Sequence, residues 1–138
     1  HVIAGLLRTK DAQGYFEGLI GQVETVHAVS IPGETATLGA EDTAAAAQAA
    51  GLLATPATSL EAAIDDIIAT VPNARILICG SLYLAGYVLR ENGCLPQSAA
   101  CISRRRLAVR SNSNVPVPSR YSFSGWSAAV MITLTFAS

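Results

Sequence analysis

Short apolar runs alternate with stretches whose apolar positions recur three and four residues apart along the first ninety positions of the chain. Residues 2–7, VIAGLL, form a continuous apolar run of the length of a buried strand. Thr9 to Asp11 then supply polar capping groups. Phe16, Leu19, Ile20 and Val23 follow at i, i+3, i+4 and i+7, which predicts an amphipathic helix. Gly14, Gly18 and Gly21 weaken that helix, each by about 1 kcal/mol relative to alanine, so burial of the apolar stripe has to hold it. TVHAVSI (25–31) predicts a second strand, stopped by Pro32-Gly33. GAEDTAAAAQAAG (39–51) predicts an alanine-rich helix, with Glu41 and Asp42 in its first turn and Gly51 at its end. A weaker strand is expected around 52–57. Thr58 and Glu61, at capping-box spacing, then open a helix with Leu60, Ile64, Ile67, Ile68 and Val71 on one face. Ile76 to Cys79 predicts a fourth, continuously apolar strand, and Leu82 to Asn92 a fourth helix stopped at Asn92-Gly93.

Four strand-then-helix units of about 25 residues each predict right-handed crossovers and a parallel sheet covered on both faces, an α/β body. The rhythm ends at Gly93. Beyond it come the arginines 104–106, the polar, proline-bearing stretch SNSNVPVPSRYS, and an alternation of Val130, Ile132, Leu134 and Phe136 with Met131, Thr133, Thr135 and Ala137. That alternation allows one strand. The change of period and charge at Gly93 favours instead a poorly ordered tail or an extension foreign to the domain. Residues 1–92 carry all ten acidic side chains against four basic ones, a net of −6, whereas residues 93–138 carry five arginines and no acid, a net of +5. The chain therefore reads as an α/β domain over 1–92 and a basic tail over 93–138.

With 138 residues, 51% of them hydrophobic, the chain has material for one ordinary core. Its three cysteines, Cys79, Cys94 and Cys101, lack the close pairing of a zinc site, and a reduced, cytoplasmic setting is the simpler expectation. The run Ala128 to Phe136 falls well short of the roughly 20 apolar residues that span a bilayer, so no membrane association is expected. Position 1 is His1 and the single methionine is Met131, which reads as a piece of something longer.

In a parallel sheet, ligands bind beyond the carboxyl ends of the strands, where helix N-termini offer unpaired N–H groups and a partial positive charge. Gly80-Ser81 falls at such a place. The glycine admits a close approach and the hydroxyl can donate to a carboxylate or phosphate oxygen; equally, Ser81 can serve only as the cap of its own helix. Spacing excludes several sharper readings. Lys10, the only lysine, does not follow a glycine-rich phosphate loop, and Cys79-Gly80-Ser81-Leu82-Tyr83 is not a nucleophile elbow. Cys79 reads as buried core rather than as a nucleophile, since neither His1 nor His27 is near it in sequence. His27, mid-strand, reads as a structural or surface histidine rather than a ligand. Three adjacent arginines without interleaved aromatics are a weak signal for nucleic acid or acidic lipid, and no nucleic-acid partner is expected.

HVIAGLLRTKD, VSIPGE and ICGSLYLAGYVLREN, in this order and separation, resemble the C-terminal domain of the bifunctional folylpolyglutamate synthase/dihydrofolate synthase enzymes, relatives of the Mur ligases. The resemblance covers residues 1–92, with GSLYLAG its most specific block. It implies a three-layer, mostly parallel, Rossmann-like sheet, truncated at its N-terminus and followed by an irregular tail. The implied parent uses ATP and Mg²⁺ to convert a folate or dihydropteroate carboxylate to an acyl phosphate, which the amino group of glutamate attacks. On this resemblance Gly80, Ser81 and Tyr83 face the interdomain cleft or, for Tyr83, preferably pack beneath it, and Lys10 and Asp11 match the family's KD on the ligand side of the sheet. None of these is implied to be catalytic.

The chain also departs from the family pattern. The Asp-Gly-Ala-His-Asn motif is absent, Tyr87 stands where a glutamate or other polar residue is expected, and the P-loop domain with its phosphate lysine is missing. The fragment alone is therefore expected to bind neither ATP nor Mg²⁺ and to be inactive. A missing first strand and helix would also leave a sheet edge open to self-association. Two alternatives from another class stay open: a free-standing α/β module that binds a small anion or a partner, and a scaffold in which Ser81 is only a cap.

Overall fold

A computed structural model describes residues 1–91 and 132–135. Among the described residues nine elements follow in chain order: β1 (Val2–Ala4), α1 (Ala12–Glu17), β2 (Val26–Ala28), α2 (Ala40–Ala49), β3 (Ala54–Pro56), α3 (Leu60–Thr70), β4 (Arg75–Cys79), α4 (Leu82–Glu91) and β5 (Ile132–Thr135). The strands form one sheet in the order β3-β2-β1-β4-β5, with the first four parallel and β5 antiparallel to β4. The α/β expectation holds, and the strand order adds what periodicity could not supply.

Register and alternation sort the core into two clusters. Ile3 pairs with Ile78, and both lie with Val29, Ile31 and Ile76 beneath α3 and α4, where Leu60, Ala63, Ile67, Leu84, Ala85 and Val88 cover them. Val2, Ala4, Val26, Ala28 and Cys79 point the other way, toward Phe16 of α1 and Ala44 and Ala47 of α2. The first cluster is built of large aliphatics. The second is richer in alanine, with Ala44 and Ala47 on the face of α2 against the strands, and Phe16, fully buried, packs beside them. Crossovers of one hand explain the division. The chain runs from β1 to β2 to β3 in one direction, then returns past both to β4, and a reversal of direction at constant hand moves the connecting helix α3 to the opposite face.

Three expectations are corrected. The helix predicted through Val23 stops at Glu17, with Gly18 as its C-cap and Gly21 at φ 75°; Ile20 is exposed, and only Leu19 and Val23 pack against the core. Burial of that stripe does not overcome three glycines in eight residues. The α3 cap is Ser59, whose hydroxyl accepts the Ala62 N–H at 3.1 Å, not Thr58 one residue earlier. Ile132–Thr135 forms the strand that the alternation allowed, in register with Arg75–Ile78, rather than irregular tail; residues 92–131 and 136–138 lie outside the described residues. β5 thereby covers the edge that β4 would present. β3, at the other edge, is three residues long and ends in Pro56, a poor template for further pairing. Among the described residues, no helix is long and apolar enough to cross a membrane.

Two buried polar side chains stand out. His27, in the middle of β2, is 8% exposed, with Nδ1 3.6 Å from a carboxylate oxygen of Asp66 on α3. Burial holds its pKa below the usual histidine value, and the chain's terminal ammonium adds to the effect, while Asp66 opposes both. The unfolded chain thus takes up the proton first, and stability is lost as pH falls from about 6.5 toward the folded-state value. Between pH 7 and pH 5 the wild type should lose more unfolding free energy in urea than His27→Gln; equal losses would exclude His27 as a source. Thr43 Oγ1 on α2 is, among the described residues, the buried side-chain atom without a hydrogen-bond partner. Thr43→Val keeps the shape and removes the orphan hydroxyl, so thermal or chemical denaturation should show a gain of about 1 kcal/mol; a loss would reveal a partner for the hydroxyl.

Candidate functional site

The central strands β1 and β4 are hydrogen-bonded neighbours, and the chain leaves their carboxyl ends toward opposite faces of the sheet. From β1 it enters the loop of Arg8, Lys10 and Asp11 and then α1. From β4 it turns through Gly80 and Ser81 into α4. The strand order reverses direction between β1 and β4, and at such a point open α/β sheets bind ligands in the crevice between the two outgoing loops.

The floor of that crevice is backbone. Gly5 N–H donates to the Cys79 carbonyl at 3.3 Å, continuing the β1–β4 pairing one residue further. Gly80 then turns away at φ 111°, and a Cβ at that position would lie 2.6 Å from the Gly5 carbonyl oxygen. Glycine is required here for two reasons, a backbone conformation that L residues rarely adopt and the close passage of β1. What approaches Gly80 is therefore the neighbouring strand.

Ser81 opens α4. Its Oγ accepts the Tyr83 N–H at 3.2 Å and its carbonyl accepts the Ala85 N–H at 3.1 Å, the pattern of an N-cap. α4 has no acidic residue in its first turn, unlike α2 with Glu41 and Asp42 and α3 with Glu61, so no carboxylate there offsets its partial positive end. The serine hydroxyl hydrogen is not used in the cap bond and remains able to donate.

Asp11 caps α1, with Oδ1 accepting the Gly14 N–H at 3.1 Å. A Cβ at Gly14 would collide with the Asp11 carboxylate, so this glycine serves the cap. Lys10 is exposed, and its N–H donates to the Leu7 carbonyl at 3.1 Å, which closes the turn that presents it. Lys10-Asp11 and Gly80-Ser81 thus belong to different walls of the crevice, one leading to each face.

Sequence reasoning passed over the groups that hold the first wall. Arg8 Nε donates to the Thr37 carbonyl at 3.0 Å, and Thr37 Oγ1 accepts the Ile31 N–H at 2.9 Å. Leu7 bridges Thr37, and the Leu38 N–H donates to the Leu6 carbonyl at 2.8 Å. The loops after β1 and β2 are thereby joined. Ser30 Oγ accepts the Ala40 N–H at 3.1 Å and supplies the cap that Gly39 lacks. The sequence signal for Arg8 was its place in HVIAGLLRTKD, two residues before Lys10; nothing in the sequence marked Thr37.

Tyr83 is corrected. The expectation that it packs beneath the cleft fails, since it is 59% exposed, beside Leu82 at 50%. Tyr87, the departure from the family pattern, packs against the aliphatic cluster and interacts with Glu61 of α3, whose carboxylate raises its pKa; the Arg90 guanidinium lies 5.9 Å from its ring centre. That position ties α4 to α3. Cys79 is buried, as expected of a core cysteine, and shares a hydrogen bond with the Tyr15 hydroxyl. Burial raises the pKa of both groups, which favours the protonated thiol. Among the described residues, no three His, Cys, Asp or Glu side chains are grouped to hold a metal ion.

Comparison of the chain with protein-family models, with curated proteins and with solved structures finds no match.

Two glycines of one segment should respond in opposite directions to the same substitution. Gly80→Ala combines a strained φ with a backbone collision and should destabilise the fold by about 2 kcal/mol or more. Gly86→Ala, in the middle of α4 with nothing within 4 Å of the added carbon, should stabilise by about 1 kcal/mol. Urea denaturation of both variants checks the pair; a neutral Gly80→Ala would disprove the close passage of β1.

Proposed function

We propose that residues 1–92 are the smaller, substrate-side domain of an ATP-dependent acid–amino-acid ligase of the folylpolyglutamate synthase/dihydrofolate synthase kind, in the three-layer Mur-ligase C-terminal arrangement, and that the chain alone is not a working enzyme. One observation supports this reading most: the two loops singled out in the sequence, Lys10-Asp11 and Gly80-Ser81, leave adjacent strands at the same end of the sheet, on either side of the reversal in strand order. In this reading the first turn of α4 and the Ser81 hydroxyl hold an anionic group, a carboxylate of glutamate or of the folate substrate, and Lys10 adds positive charge across the crevice. ATP and Mg²⁺ belong to the opposite, P-loop wall. The described residues do not fit them, having neither a grouped set of metal ligands nor a lysine in a phosphate loop. A cytoplasmic setting, where folate and glutamate are at hand, is part of the same proposal.

The cap geometry of Ser81 and the exposure of Leu82 and Tyr83 favour a second reading, a non-catalytic α/β module that binds a small anion or a partner. Calorimetric titration of the 138-residue chain with glutamate, folate and inorganic phosphate separates the two. The ligase reading expects binding selective for glutamate or folate that Ser81→Ala abolishes; preference for phosphate favours the module. If Ser81 only caps α4, the substitution costs about 0.5–2 kcal/mol of stability and no ligand binds either protein. Glutamate-dependent ATP hydrolysis by the purified chain should be undetectable, since transfer needs the nucleotide site to be held against the acceptor; sustained turnover would overturn the incomplete-enzyme reading.

A further inference from the structure

We draw no further inference here: the strongest candidate, the exposed Leu82–Tyr83 patch at the N-terminus of α4, belongs to the site already described, and nothing in the structure shows what covers it.

Discussion

The close passage of the Gly5 and Gly80 backbones is the constraint on which the arrangement turns. β1 and β4 are distant in sequence but adjacent in the sheet, and their pairing runs on to the Gly5–Cys79 hydrogen bond before the chains part. At that separation a side chain on residue 80 would meet the Gly5 carbonyl, so the turn has to be made by glycine. Because the turn is a single residue, Ser81 begins α4 directly above the strand ends, and the helix settles onto Ile76, Ile78 and Ile3 through Leu84 and Val88. Relaxing that contact would move the helix, its cap and its buried residues Leu84, Ala85 and Val88 together.

The two faces of the sheet are stabilised differently. Beneath α3 and α4, isoleucines and leucines interlock, and each fully buried one contributes about 1.5–3 kcal/mol of transfer free energy. Beneath α1 and α2, the alanines offer less area per residue and gain by close packing, and Phe16, the largest buried side chain there, fills much of the remaining volume together with Leu6. The short α1 fits this picture. It is anchored by the Asp11 cap and by Phe16 in edge-to-face contact with Tyr15, at 5.4 Å between ring centres, and needs no further turns.

Chemically, the carboxyl end of the sheet combines a helix N-terminus without acidic neighbours, a cap hydroxyl with its hydrogen still available, and a basic loop braced by Arg8 and Thr37. These features suit an anion. Among the described residues no His, Cys, Asp or Glu side chains are grouped to hold a metal ion, and Cys79 is buried, with its thiol pKa raised by that burial.

Much of the body was legible in residue order. Apolar runs succeeded by 3.6-periodic stripes located four strands and four helices, and Gly51, the acids of α2 and the run Ile76 to Cys79 marked their limits, because burial pattern, capping and turn chemistry are local properties. Local signals misjudged α1, where three glycines outweighed an apolar stripe, and the cap of α3, where Ser59 and Thr58 compete for one position and only the backbone path decides between them. The candidate residues Gly80, Ser81, Lys10 and Asp11 could be picked out by type and place. Strand order could not, nor the meeting of their two loops, nor the brace at Thr37, nor the exposure of Tyr83, nor the pairing of Ile132–Thr135 with β4. Those depend on contacts between residues tens of positions apart, which periodicity does not encode and which arise only when crossovers of one hand stack both faces of a common sheet.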